Sequence, residues 1–210
     1  MRRIAFACVP LLMAAFVYAQ TPASQPAEDI AADRSTPKGA LKVYAQAIRG
    51  GEAKAMAECL FAPTKLRQEL AKARTEQSAA VHRIWKAGIA RYGVEGAKEV
   101  FGGKNLPTPD EYAGDILARL PKAKVTLQGE RAAIVLGDHP NDPWILQREK
   151  GQWKLIVADT GESNAKVKEM INQAERSTPQ LLAVAKDIES GKLQTPADAA
   201  AAVRRATGGP

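Results

Sequence analysis

Lys124-Val-Thr-Leu-Gln128, Ala132-Ala-Ile-Val-Leu136, Trp144-Ile-Leu-Gln-Arg148 and Trp153-Lys-Leu-Ile-Val-Ala158 decide the fold. Each is a short run rich in β-branched, aliphatic or aromatic residues, and the first and last alternate apolar with polar. Turn residues separate them: Gly129-Glu130, then Gly137-Asp-His-Pro-Asn-Asp-Pro143, then Glu149-Lys-Gly-Gln152. A glycine-bearing link of four residues before Trp153 is a hairpin signal. Its register puts Trp144, Leu146 and Arg148 opposite a matching set, Trp153, Leu155 and Val157. The expectation is a mostly antiparallel four-stranded sheet.

Upstream of this block the apolar period is helical. Thr36-Pro37 opens a helix: threonine can cap free amides, and proline fits the first turn. Leu41, Tyr44 and Ile48 share one face, and Gly50-Gly51 closes the helix. A short helix over 52–61, with Met56 and Leu60 inward, precedes a long one from Thr64 to about Ile89 or Tyr92. A polar break at Glu76-Gln-Ser78 interrupts its spacing, and residues 95–101 form a separate short helix. Thr108-Pro-Asp-Glu111 is a capping-box start, followed by a buried stripe of Tyr112, Ile116 and Leu120 that ends at Pro121. After the strands, helices are expected over 165–177, from Thr178-Pro179 to Ser190, and from Thr195-Pro196. Helices gathered before strands, rather than alternating with them, mean α+β.

Residues 1–19 carry a secretory signal: Arg2-Arg3, an apolar stretch over 4–17, and Val17-Tyr18-Ala19 before the cut. The stretch is too short for a membrane span. Cleavage near Ala19 places the mature protein in the periplasm or outside the cell. A flexible leader over 20–34 leads to a domain over 35–160, a helical extension over 161–206 and a disordered tail over 207–210. Loss of Arg2 and Arg3 with the leader lowers the net charge from +7 to +5. Basic residues interleaved with acids, and few aromatics for base stacking, argue against nucleic acid as a partner. Cys8 leaves with the signal, so Cys59 has no intramolecular disulfide partner and reads as a small core residue.

Thr36 to Glu52, with its Gly-Gly-Glu step and following short helix, resembles the opening of NTF2-like (SnoaL/ketosteroid-isomerase-like) domains. Glu130-Arg-Ala-Ala-Ile-Val135, Trp144 to Arg148 and Gly151-Gln-Trp-Lys-Leu-Ile-Val157 resemble that family's last strands. The resemblance covers about residues 36–160. The insertion over 64–121 is longer than the family's usual one, and the helices after 165 lie outside the standard domain. It implies a curved, cone-like sheet wrapped on a helix, with a small ligand at the mouth.

Chemistry-bearing motifs are sparse. His82 and His139 are far apart in sequence, and no spacing suits a metal. Both read as ordinary histidines outside a packed core. There is no Gly-x-Ser-x-Gly, no Walker loop and no cofactor signature; Gly102-Gly-Lys104 lacks the hydroxyl and spacing of a phosphate loop. Isomerase chemistry of the ketosteroid type needs an aspartate base and a tyrosine-like oxyanion donor, for which Tyr44, Tyr92, Tyr112, Asp115 and Asp159 are available. Tyr44 and Tyr112 read first as core rings, and Asp115 as exposed. Pocket candidates are Tyr44, Trp85, Tyr112, Trp144 and Trp153, with no catalytic or metal residue assigned. The expected function is a secreted or periplasmic non-enzymatic binding or interaction domain for a small apolar ligand or an envelope protein. The alternatives are a small-molecule enzyme (isomerase- or hydrolase-like) with a cone-shaped pocket, and a cell-envelope structural component. A pocket holding convergent polar groups favours a ligand; a filled cone favours scaffolding.

Overall fold

The computed structural model describes residues 32–103, 105–137, 143–156 and 162–208. The expected signal, His139, Asp159 and the end of the last strand (157–158) lie outside them. Among the described residues the chain is α+β, with six α-helices and one five-stranded mixed sheet. The helices are α1 (Pro37–Gly50), α2 (Ala53–Glu58), α3 (Lys65–Val100), α4 (Pro109–Arg119), α5 (Asn164–Glu189) and α6 (Pro196–Ala206). The strands are β1 (Leu60–Phe61), β2 (Lys124–Gln128), β3 (Arg131–Val135), β4 (Trp144–Glu149) and β5 (Gln152–Ile156).

Strands β2 to β5 form the expected antiparallel meander, and the sheet order is β1-β5-β4-β3-β2. Leu146 faces Leu155 and Arg148 faces Trp153, as the hairpin signal requires. The link tightens to Lys150-Gly151, both at positive φ, the twist that suits a two-residue hairpin. The four-strand expectation is short by one. Leu60–Phe61, placed in the second helix by the sequence reading, is a strand parallel to β5, pairing Leu60 with Leu155. Two residues are too few to show a period, and the partner lies far along the chain. Arg34, assigned to the leader, accepts a 2.7 Å hydrogen bond from the Trp153 N–H.

Capping chemistry sets the helix ends as expected. Thr36, Thr108 and Thr195 each accept from a first-turn amide, and the last two close capping boxes with Glu111 and Asp198. Gly51 takes φ 68° to end α1. The long helix runs through Glu76-Gln-Ser78 without a break, since Gln77 Nε2 donates to Ser177 Oγ of α5 at 2.7 Å. It bends at Gly93, where φ 74° and ψ 176° are open to glycine, between the expected end of the long helix near Tyr92 and the separate helix expected over 95–101. The arm beyond folds back, bringing Ala97 against Gly88. The two helices expected over 165–190 are one, α5, with Pro179 inside it. Proline removes one ladder bond. The Ser177 and Thr178 hydroxyls both donate to the Ala174 carbonyl at 3.2 and 2.7 Å, and packing against α3 holds the turn.

Two packed groups result. In the first, α1 and α4 cover the sheet, with Leu41, Ile116, Ile134, Leu146, Trp153 and Leu155 at its centre. In the second, α3 packs on α5 and α6 through Ile84, Leu181, Val184, Ile188 and Ala199. Cys59 is buried in the sheet core and free, and burial pushes its thiol up to about 11. Such a thiol is inert at neutral pH.

Candidate functional site

Between the two packed groups lies a cleft of about 560 Å³, within the roughly 300–1,000 Å³ range of small-molecule sites. One face of α3 forms its floor: Arg74, Gln77, Ser78, Val81, His82 and Trp85 line it. These positions step by three or four residues, so they stack along a single stripe. α1 contributes Tyr44 and Ile48, α2 contributes Met56, and α4 contributes Pro109 and Tyr112. Leu181, Val203 and Thr207 close it from α5 and the end of α6. The bend at Gly93 matters here, because the returning arm lets Phe101 stack on Trp85 with centroids 4.5 Å apart and planes at 17°.

Three of the five pocket candidates, Tyr44, Trp85 and Tyr112, meet at this cleft. Tyr44 joins it to the sheet core, for its ring meets Trp144 edge-on at 6.2 Å. Burial pushes the Tyr44 hydroxyl up to about 12, with the nearby Tyr112 and Cys59 adding to the shift. Tyr112 is not part of the α4 core stripe: it is 41% exposed, one turn into the helix at the cleft rim. Ile116 and Leu120 carry the stripe without it. Trp144 stands behind Tyr44 rather than in the cleft, and Trp153 is buried under α1 in the sheet core. The sheet face under α1 and α4 is thus filled, and the open space lies beside Tyr44 and Ile48 of α1. Tyr92 is also elsewhere, its hydroxyl donating to the Leu193 carbonyl at 2.6 Å.

His82 is the residue that the sequence reading underrated. It is 7% exposed, and among the described residues neither ring nitrogen has a hydrogen-bond partner. An unmet buried donor or acceptor costs about 1–3 kcal/mol. The ring lies on Gly51, where a methyl group would come within 2.4 Å of Cδ2. Burial, reinforced by Lys86, lowers the His82 pKa, and Asp110 opposes them in part. The neutral imidazole is therefore the form held against the end of α1. The contact joins residues 31 positions apart, so the pattern of α3 alone does not reveal it.

No carboxylate lines the cleft among the described residues. Asp115 is exposed and pairs with Arg119 at 2.8 Å. Nor do the described residues contain a cluster of three or more histidines, cysteines or carboxylates able to hold a metal. A second groove of about 690 Å³ runs between α5 and α6, but long exposed chains of mixed charge line it, among them Lys168, Glu169, Arg176 and Arg205. It offers no apolar wall comparable to Trp85 and Phe101. Comparison with protein-family models, curated proteins and solved structures returns no match for this chain.

Proposed function

We propose that this chain is an exported binding module, which holds a small, largely apolar molecule in the cleft between its two packed groups and performs no covalent chemistry on it. The observation that carries the reading is the cleft itself. Aromatic and aliphatic side chains wall it, and Arg74, Gln77, Ser78 and His82 provide the convergent polar groups expected of a ligand site. The enzyme alternative needs a carboxylate base beside a tyrosine. Tyr44 and Tyr112 are in place, but the described lining supplies no such base. The alternative of a cell-envelope structural component is disfavoured as an apolar docking surface, because Leu181, Val184 and Ile188 of α5 and Ala199 and Ala202 of α6 are buried in the core shared with α3.

Export is supported by the arginine start, apolar stretch and small-residue cut of residues 1–19. No helix among the described residues is long and apolar enough to cross a membrane. Kinship with NTF2-like domains rests on the Gly50-Gly-Glu52 step after the first helix and on the Gly151-Gln-Trp-Lys154 run of the last strand.

Titration with the neutral fluorophore N-phenyl-1-naphthylamine tests the reading. Saturable enhancement is expected, with loss of binding in Ser78→Phe, whose exposed site tolerates a bulky ring on folding but narrows the cleft. No enhancement, or equal enhancement in a folded Ser78→Phe protein, would refute it.

A further inference from the structure

We infer that the cleft is matched to an elongated amphiphile with one anionic head, an apolar chain or ring system ending in a carboxylate or comparable acid; this rests on the binding reading above. The lining is graded along α3. Arg74, Gln77 and Ser78 stand at one end, Val81 and His82 lie a turn further, and Trp85 a turn beyond that. Eleven residues separate Arg74 from Trp85, a rise of about 16 Å. The site therefore has a polar end and an apolar end separated by the length of a medium alkyl chain.

The sign of the head follows from the lining. Arg74 is the charged residue among the described lining, with no Asp or Glu beside it there. Its Nη1 donates to Gln77 Oε1 at 3.4 Å, a neutral and loosely held partner. Guanidinium prefers an acid group that accepts two parallel hydrogen bonds. Ser78 adds a hydroxyl to the same end. At the other end, Trp85 stacked on Phe101 presents apolar surface to a tail. A cationic head would meet Arg74 with like charge, and a neutral one would leave the guanidinium to water.

Calorimetric titration of the purified protein with decanoate, decyl sulfate, 1-decanol, decylammonium and butanoate, each below its micellar concentration, tests the assignment. Decanoate should bind about tenfold tighter than 1-decanol, decylammonium should bind least among the ten-carbon ligands, and butanoate, too short to reach Trp85, should not saturate. Decyl sulfate, likewise anionic, should also bind tighter than 1-decanol. Arg74→Gln should erase the preference for the anion, while Arg74→Lys should keep most of it. Equal binding of decanoate and 1-decanol, or a preference that survives in Arg74→Gln, would overturn the inference. N-phenyl-1-naphthylamine binding separates the two failures. If the neutral probe still saturates, only the head-group assignment falls; if it does not, the binding reading falls and takes this one with it.

Discussion

Gly51 and His82 set the geometry of the cleft at the scale of single residues. Gly51 sits at φ 68° and leaves no room for a methyl group beneath the imidazole. Gly51→Ala should therefore lose ~2 kcal/mol or more in urea unfolding, since backbone strain and the clash add. His82→Ala in the same chain should restore the part due to the clash, and strict additivity of the two changes would contradict the contact. His82 also makes stability depend on pH. Its folded pKa lies below the ordinary value of 6.5, chiefly through burial. The unfolded chain thus binds a proton that the folded one resists, so the contribution is full above that value. It is lost as pH falls from there through the lower folded pKa. Denaturation midpoints should drop over this interval in the parent and drop less in His82→Leu. The reverse slope would show His82 charged in the fold. None of this was legible from the sequence, where His82 reads as a histidine outside the core. Period and capping are local, whereas the burial of His82 depends on where α1 ends.

At the scale of elements, legibility followed the range of the signal. The meander, the capping box at Thr108, the Thr195-Pro196 start and the stop at Gly51 are written within a few neighbouring residues, and the structure has them in place. Strand β1 is not, because two residues take their extended form from pairing with β5. Pro179 misleads in the opposite direction: proline is a local stop signal, overridden here by the packing of α5 against α3 on either side of it, through Ala174 and Leu181. Trp153 shows a local reading that extends to tertiary structure. It opens an alternating strand straight after the turn and is 5% exposed beneath α1. Trp153→Ala should cost ~3–5 kcal/mol through lost contact and the void left behind. It should leave N-phenyl-1-naphthylamine affinity unchanged under conditions that keep the protein folded. A stable variant that had lost only the probe would place Trp153 at a binding mouth instead.

For the whole molecule, the cleft is a consequence of how the chain distributes its cores. The sheet face is filled by its own strands with α1 and α4, and α3 uses another face to pack on α5 and α6. What remains between them is lined by residues from all six described helices. Tyr44 and Trp85 could be read from the sequence because they lie on buried faces, whereas Tyr112, read onto the α4 stripe, reaches the cleft from an exposed position. Their convergence could not, since it brings together α1, α3 and α4, which lie far apart in the sequence. The measurement that reaches the central claim most directly is the anomalous scattering of 1-bromonaphthalene in crystals of the protein. A bromine peak is expected in van der Waals contact with Trp85 or Phe101, in the cleft between α1 and α3. A peak confined to the groove beside Arg176 and Arg205, or none in the cleft at saturating ligand, would contradict it.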